Sequence, residues 1–280
     1  MNIKILSDST CDLSPEILEK YNISVTPLIV MKDGKEYRDG VTITPADIFA
    51  HVAAGGSLCS TAALSVGIYQ EAFGKYAKDY DGIIHINIGS GFSSSYQNAC
   101  LAAEDYPNVR VVDSNNLSTG QGLVVLKACE LAKEIDDLDK LQAELQAFAE
   151  KVEASFVMDQ LKYMVKGGRC SSVAALGANL LNLKPCIEVK DGKMSVVKKY
   201  RGNYTKCLVS YVHDRLEGRE DLDDGRIFIT HTPVSEETLA AVREAVSGCA
   251  SFRETLETDA GCTVSCHCGP GTLGVLFVRK

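Results

Sequence analysis

The stretch Gly82-Ile83-Ile84-His85-Ile86-Asn87-Ile88-Gly89-Ser90-Gly91-Phe92-Ser93-Ser94-Ser95-Tyr96-Gln97-Asn98-Ala99 decides the fold. An apolar run of strand length breaks at a Gly-Ser-Gly turn, then gives way to three consecutive serines and a helical pattern. The pattern predicts a strand, a tight loop and a helix N-terminus dressed with hydroxyl groups. Free backbone N–H groups and the positive end of a helix dipole make such a place attractive to an anion. No Lys, Arg, Asp, Glu or His sits among these serines, so the loop suits holding an anion and not acid–base chemistry on it.

The same design recurs on either side. Ile3-Lys4-Ile5-Leu6 runs into Ser7-Asp8-Ser9-Thr10, and Val109-Arg110-Val111-Val112 runs into Asp113-Ser114-Asn115-Asn116. Strands alternating with helices argue for a parallel sheet, whose ligands gather beyond the carboxyl ends of the strands. Three hydroxyl-rich loops are therefore expected to converge on one crevice, although Ser, Thr and Asp also serve as ordinary helix caps.

Further along, Ser14-Pro15 opens a short helix, Ile23 to Met31 reads as one strand, and Lys32-Asp33-Gly34-Lys35 reads as a hairpin turn. Thr44-Pro45-Ala46-Asp47 starts a capped helix that ends at Gly55-Gly56. Ser65 to Tyr80, Leu117 to Glu134 and Leu138 to Val152 read as amphipathic helices. After about residue 154 the pattern changes. Phe156-Val157-Met158 is a strand, Ser171 to Leu181 an uncharged helix, and Lys184 to Val197 a hairpin through Asp191-Gly192. That hairpin implies a mixed sheet, joined by helices over Asn203 to Leu216 and Ser235 to Ser247 and strands near Arg226 to Thr230 and Leu273 to Val278. The expected architecture is α/β in two domains: a parallel-sheet α/β/α domain over 1–154 and a mixed-sheet α/β domain over 155–280.

The bulk numbers narrow the function. A formal charge of −8 argues against nucleic acid, and 45% hydrophobic with 24% charged residues is the composition of a globular protein. No apolar stretch reaches the length of a membrane span, and Met1-Asn2-Ile3-Lys4 opens no signal-peptide core, so a cytoplasmic protein without stable membrane insertion is expected. Cys100, Cys129, Cys186 and Cys207 lie singly in apolar patterns and read as small buried hydrophobes. Cys262-Thr263-Val264-Ser265-Cys266-His267-Cys268 lacks the second pair a zinc site needs, and alternation places Cys262, Val264 and Cys266 on one face of a strand with His267 at its end. No metal is expected. A Ser–His hydrolase needs Gly-x-Ser-x-Gly, which Gly91-Phe92-Ser93-Ser94-Ser95 fails at the last glycine; Walker and dinucleotide fingerprints fail as well.

Taken together, the segments resemble the DegV family of bacterial fatty-acid-binding proteins. The resemblance runs through Ser7-Asp8-Ser9-Thr10-Cys11-Asp12-Leu13, Thr61-Ala62-Ala63-Leu64-Ser65, Gly91 to Ala99 and Val112-Asp113-Ser114. It continues through Leu161-Lys162-Tyr163-Met164-Val165-Lys166-Gly167-Gly168-Arg169 and Leu183-Lys184-Pro185, and closes on His267-Cys268-Gly269-Pro270-Gly271. It implies two α/β domains with a buried acyl chain, a carboxylate held by Thr61, Ser93 and His267, and no cofactor or catalysis of the protein's own. It further implies that the fatty acid is presented to a separate ATP-dependent fatty acid kinase feeding phospholipid synthesis, with Arg169 and Arg201 at basic positions for that partner or for phosphate. The chain departs from the family where Ala62-Ala63-Leu64 replaces Ser-Gln-Pro and Ser94-Ser95 replaces Gly-Thr. Two alternatives stand beside this reading: an acyl hydrolase using Ser93 and His267, and a phosphorylated-triose binder related to the dihydroxyacetone kinases.

Overall fold

The computed structural model describes residues 1–176 and 183–280. The first half runs β1 (Ile3–Asp8), a 3-10 turn, α1 (Pro15–Lys20), β2 (Ser24–Thr26), β3 (Ile29–Lys32), β4 (Lys35–Arg38), α2 (Pro45–Ala53), β5 (Ser60–Ala62) and α3 (Val66–Gly74). It continues with β6 (Gly82–Asn87), α4 (Ser95–Ala103), β7 (Val109–Asp113), α5 (Thr119–Leu131) and α6 (Leu138–Ala149). The second half is β8 (Val152–Met158), α7 (Lys162–Gly167), α8 (Ser171–Ala174), β9 (Leu183–Lys190), β10 (Lys193–Arg201) and α9 (Tyr204–Leu216). It closes with β11 (Leu222–His231), α10 (Glu236–Cys249), β12 (Glu254–Asp259), α11 (Cys262–Cys268) and β13 (Thr272–Arg279).

The α/β reading holds. A four-stranded parallel sheet has the order β2-β1-β6-β7, and a six-stranded mixed sheet the order β10-β9-β8-β13-β11-β12. Only β11 and β12 run parallel in the second. In the parallel sheet the connection direction reverses between β1 and β6, which are paired through Leu6↔His85. Loops leaving two adjacent strands in opposite directions open a crevice at such a switch point.

Local signals are realised where the sequence carries its own cap or turn. Ser14, Asn203 and Ser235 cap α1, α9 and α10, and Thr44 with Asp47 forms a capping box on α2. Asp33 and Gly34 take positive φ in the β3–β4 hairpin, as a two-residue Asp-Gly turn requires.

Four expectations need correction. The strand expected over Ile23 to Met31 is two strands, broken at Pro27, which has no N–H to give a ladder. β2 edges the parallel sheet, while β3 joins β4 and the unanticipated β5 in a small separate sheet. The segment Cys262 to Cys268 is a helix, bracketed by Gly261 and Gly269. Almost all of it is buried, so no polar face betrays the 3.6-residue period and the alternation was misleading. Likewise α5 is not amphipathic: it packs against β1 and β6 on one side and β8 and β13 on the other, and is buried nearly throughout. The uncharged helix expected over Ser171 to Leu181 is helical through Ala174, and 177–182 lie outside the described residues.

The largest apolar cluster therefore joins both sheets through α5, with Ile84 and Ile86 on one side and Phe156 and Leu276 on the other. The mixed sheet begins at Val152, so β8 straddles the division expected after residue 154. Between β12 and β13 the chain crosses back, and α11 docks on α2, β3 and β5 of the first half.

Candidate functional site

The crevice at the switch point is occupied by a cavity of about 200 Å³. Its walls come from the loop after β1 (Thr10), the loop after β6 (Ile88, Phe92, Ser93, Ser94), β5 (Thr61) and α11 (Thr263, Val264, His267, Cys268). Leu28, Leu117, Met164 and Met194 make the rest mainly apolar. A second, smaller cavity of about 30 Å³ shares Leu117, Val264 and Cys268 with the first and reaches in between the sheets to Phe156, Val189 and Leu276. The two are adjacent, the first with a hydroxyl-lined mouth and the second deeper in the core.

At the mouth, β5 and α11 bring together residues 206 positions apart: Thr61 Oγ1 lies 2.8 Å from His267 Nε2. β5 aims Thr61 at the helix, while the i, i+4 spacing of Thr263 and His267 turns both onto the cavity side of α11. Burial pushes the His267 pKa down to about 4, and the neighbouring Arg169 guanidinium pushes it the same way. His267 is therefore neutral at pH 7. Its part is that of a neutral hydrogen-bond partner to Thr61. Its Nδ1 is buried without a hydrogen-bond partner among the described residues. A side chain at Gly167 would run into that atom, since an added Cβ would stand 2.2 Å from it.

Ser93 Oγ bonds within its own loop, donating to Ser95 Oγ at 3.0 Å and accepting from Ser95 N–H at 3.2 Å. Ser95 Oγ in turn accepts from Leu64 N–H at 3.3 Å, tying the serine loop to the segment that follows Thr61. Arg169 is exposed beside the mouth, where its guanidinium donates to Gly167 O at 2.7 Å. Arg201 stands elsewhere, exposed at the end of edge strand β10 and not among the cavity residues. Thus Thr61, Ser93, His267 and Arg169 line one cavity and Arg201 does not.

The expected convergence of three hydroxyl-rich loops is reduced to two. The loop after β1 contributes Thr10, whose hydroxyl is shared with Asp8 and Gln121. Ser114, after β7, donates to Asn116 O at 3.0 Å and does not line the cavity. Met164 stood within a quoted motif and Thr10 within a hydroxyl loop, so both were visible in the sequence. Nothing local marked Met194, which only the fold of the β9–β10 hairpin delivers. The eleven cysteines are unpaired, and among the described residues no group of three or more His, Cys, Asp or Glu is placed to hold a metal ion. No described helix is long and apolar enough to cross a membrane.

Comparison with known proteins adds an independent line. The family model described as "Uncharacterised protein, DegV family" matches residues 2–280. A DegV domain-containing protein of Clostridium acetobutylicum is 32% identical over 280 residues, 99% of either chain. A Thermus thermophilus structure described as fatty acid binding of a DegV family protein has TM-score 0.89 at 30% identity, with all of both chains covered. DegV of Bacillus subtilis, described as a fatty acid binding protein, has TM-score 0.83 at 26% identity over 100% of each chain. With the whole length matched in sequence and in fold, the chain belongs to the DegV family.

Proposed function

We propose that this protein is a non-catalytic carrier of a long-chain fatty acid, its carboxylate held by Thr61, Ser93 and His267 and its chain laid along the apolar path between the sheets. The observation that carries the reading is the Thr61–His267 pair, 2.8 Å apart, at the hydroxyl-lined mouth of a cavity whose remaining wall is mainly apolar. With neutral His267 donating Nε2–H to Thr61 Oγ1, the Thr61 proton is left for a carboxylate oxygen, and the Ser93 hydroxyl can turn from Ser95 to serve the other. The exposed Arg169 guanidinium beside them offsets part of the ligand charge. A chain of roughly 16 carbons adds on the order of 10 kcal/mol of gross burial, at about 0.8 kcal/mol per methylene. Met164 and Met194 suit a wall that repacks around such a chain.

The carboxylate end faces outward, where exposed Ser94 and Arg169 lie. That polarity suits presentation of the acid to a separate ATP-dependent kinase, as the family resemblance implies. A hydrolase is served less well: Ser93 pairs with Ser95, and the imidazole that would activate it faces Thr61.

Native mass spectrometry of the purified protein, with identification of released lipid, tests the reading. A bound mass of fatty-acid size, abolished by delipidation and restored by a long-chain fatty acid, is expected. A protein that stays empty with a fatty-acid panel yet binds a phosphorylated triose, or turns over an acyl ester only while Ser93 is present, would overturn it.

A further inference from the structure

The helix that brings His267 to the cavity has no cap of its own: its N-cap is Gly261, without a side-chain hydrogen bond. Its first N–H groups are instead received by carboxylates from the opposite end of the chain. Asp39 Oδ1 accepts from Cys262 N–H at 2.9 Å, and Asp39 Oδ2 accepts from Thr263 N–H at 3.0 Å and the Thr263 hydroxyl at 2.7 Å. Asp12 Oδ1 accepts from Gly261 N–H at 2.9 Å, while its other oxygen accepts from the Ser118 hydroxyl at 2.6 Å. Both carboxylates are buried. A side chain at position 261 has no room, since an added Cβ would stand 2.8 Å from Asp12 Oδ1. The φ of Gly261 is an ordinary −64°, so the glycine is there for space.

Asp39 also reaches the other cavity wall. Its Oδ2 accepts from Ser9 Oγ at 2.9 Å, and Ser9 Oγ accepts from the N–H of Leu28, a cavity-lining residue, at 3.0 Å. One carboxylate thus ties the loop after β1, the backbone at Leu28 and the start of α11. α11 is seven residues long and leads straight to His267. A helix this short has too few internal bonds to fix its own axis, so its anchored end sets where His267 Nε2 meets Thr61.

We propose that Asp39 is a positioning residue for fatty-acid head-group recognition: by clamping the N-terminus of α11 it holds His267 in register with Thr61. This rests on the fatty-acid reading of the same cavity. Asp39 touches neither Thr61 nor His267 and acts only through the helix. Asp12 secures the residue before it.

The test compares oleate with methyl oleate, which shares the chain but lacks the carboxylate, by titration of delipidated protein. Wild type is expected to prefer the acid by about tenfold or more, the effect of one or two charge-assisted hydrogen bonds. Asp39→Asn turns one accepting oxygen into a donor facing the helix N–H groups, and is expected to weaken oleate about tenfold while methyl oleate changes less than about twofold. Equal losses for both ligands, or unchanged oleate affinity, would overturn the proposal. If Asp39→Asn does not fold, Ser9→Ala removes one hydrogen bond to the same carboxylate and should cost oleate, and not the ester, about threefold. Equal affinities for acid and ester in wild type would sink the head-group reading itself, a result separable from any behaviour of Asp39.

Discussion

The outer and inner cavities are both rich in hydroxyl groups, yet the two sets differ in how firmly their hydrogen bonds are committed. At the inner end, Ser118 donates to Asp12, Ser155 pairs with Tyr211, Thr230 with Thr119 and Thr258, and Thr272 donates to Cys268 O. Each is committed to a partner fixed in the core. At the mouth, Ser93 bonds only within its own loop and Thr61 shares its hydroxyl with a neutral imidazole, both exchangeable for a ligand oxygen. A buried polar group whose bonds are already made has little to offer a ligand, and leaving it unmatched costs about 1–3 kcal/mol. Residue type therefore does not distinguish the ends; the prior commitment of each hydrogen bond does.

The largest effect that would sharpen this contrast belongs to the mouth. Thr61→Val and His267→Ala are each expected to lower affinity for a long-chain fatty acid about 10- to 100-fold, whereas Thr230→Val should change it less than about threefold by titration calorimetry. Comparable losses at both ends would break the distinction. Filling the inner cavity tests the apolar half: Ala154→Leu is expected to shift preference toward shorter chains, each displaced methylene forfeiting about 0.8 kcal/mol. Chain-length profiles of bound lipid by mass spectrometry would show it.

Acid sensitivity reads out the core histidine of the parallel sheet, His85. His85 is fully buried between Tyr69 and Phe73, without a hydrogen-bond partner among the described residues, and burial pushes its pKa down to about 3. Between the ordinary value near 6.5 and that folded value the unfolded chain binds the extra proton, so stability falls as pH drops through this window. Asp12, pushed up to about 8 by burial, contributes in the opposite direction. The informative quantity is thus the difference between wild type and His85→Phe: equal at pH 7.5 apart from packing, it should favour the variant by up to about 4 kcal/mol towards pH 3.5 in denaturant unfolding. A pH-independent difference would place solvent or an unseen partner at His85. The smallest effect is expected at Arg201→Ala, which should leave fatty-acid affinity within about twofold because the residue stands off the cavity, against a larger loss for Arg169→Ala in the same assay.

Much of this was legible along the chain. The Gly82 to Ala99 segment is β6, its loop and α4, and the helices expected to start at Ser14, Thr44, Asn203 and Ser235 are capped by those residues. Ser93 was found because its loop signals itself within a dozen residues. Thr61 was named only through the family resemblance, and His267, marked locally as a histidine at the end of an expected strand, gained its head-group role only there. β5 is a three-residue strand without a propensity signal, and α11 is buried too completely to show a helical period.

Short-range physics, readable along the chain, controls the α/β alternation, the caps and turns, the acidic charge and the anion-suited serine loop. Tertiary structure alone decided which hydroxyls remain exchangeable, that α11 crosses back onto the small sheet, and that Thr61 meets His267 across 206 residues. The reason is range. Caps and periodicity act within one turn of chain, while buried carboxylates such as Asp39 join segments with no sequence relation to one another.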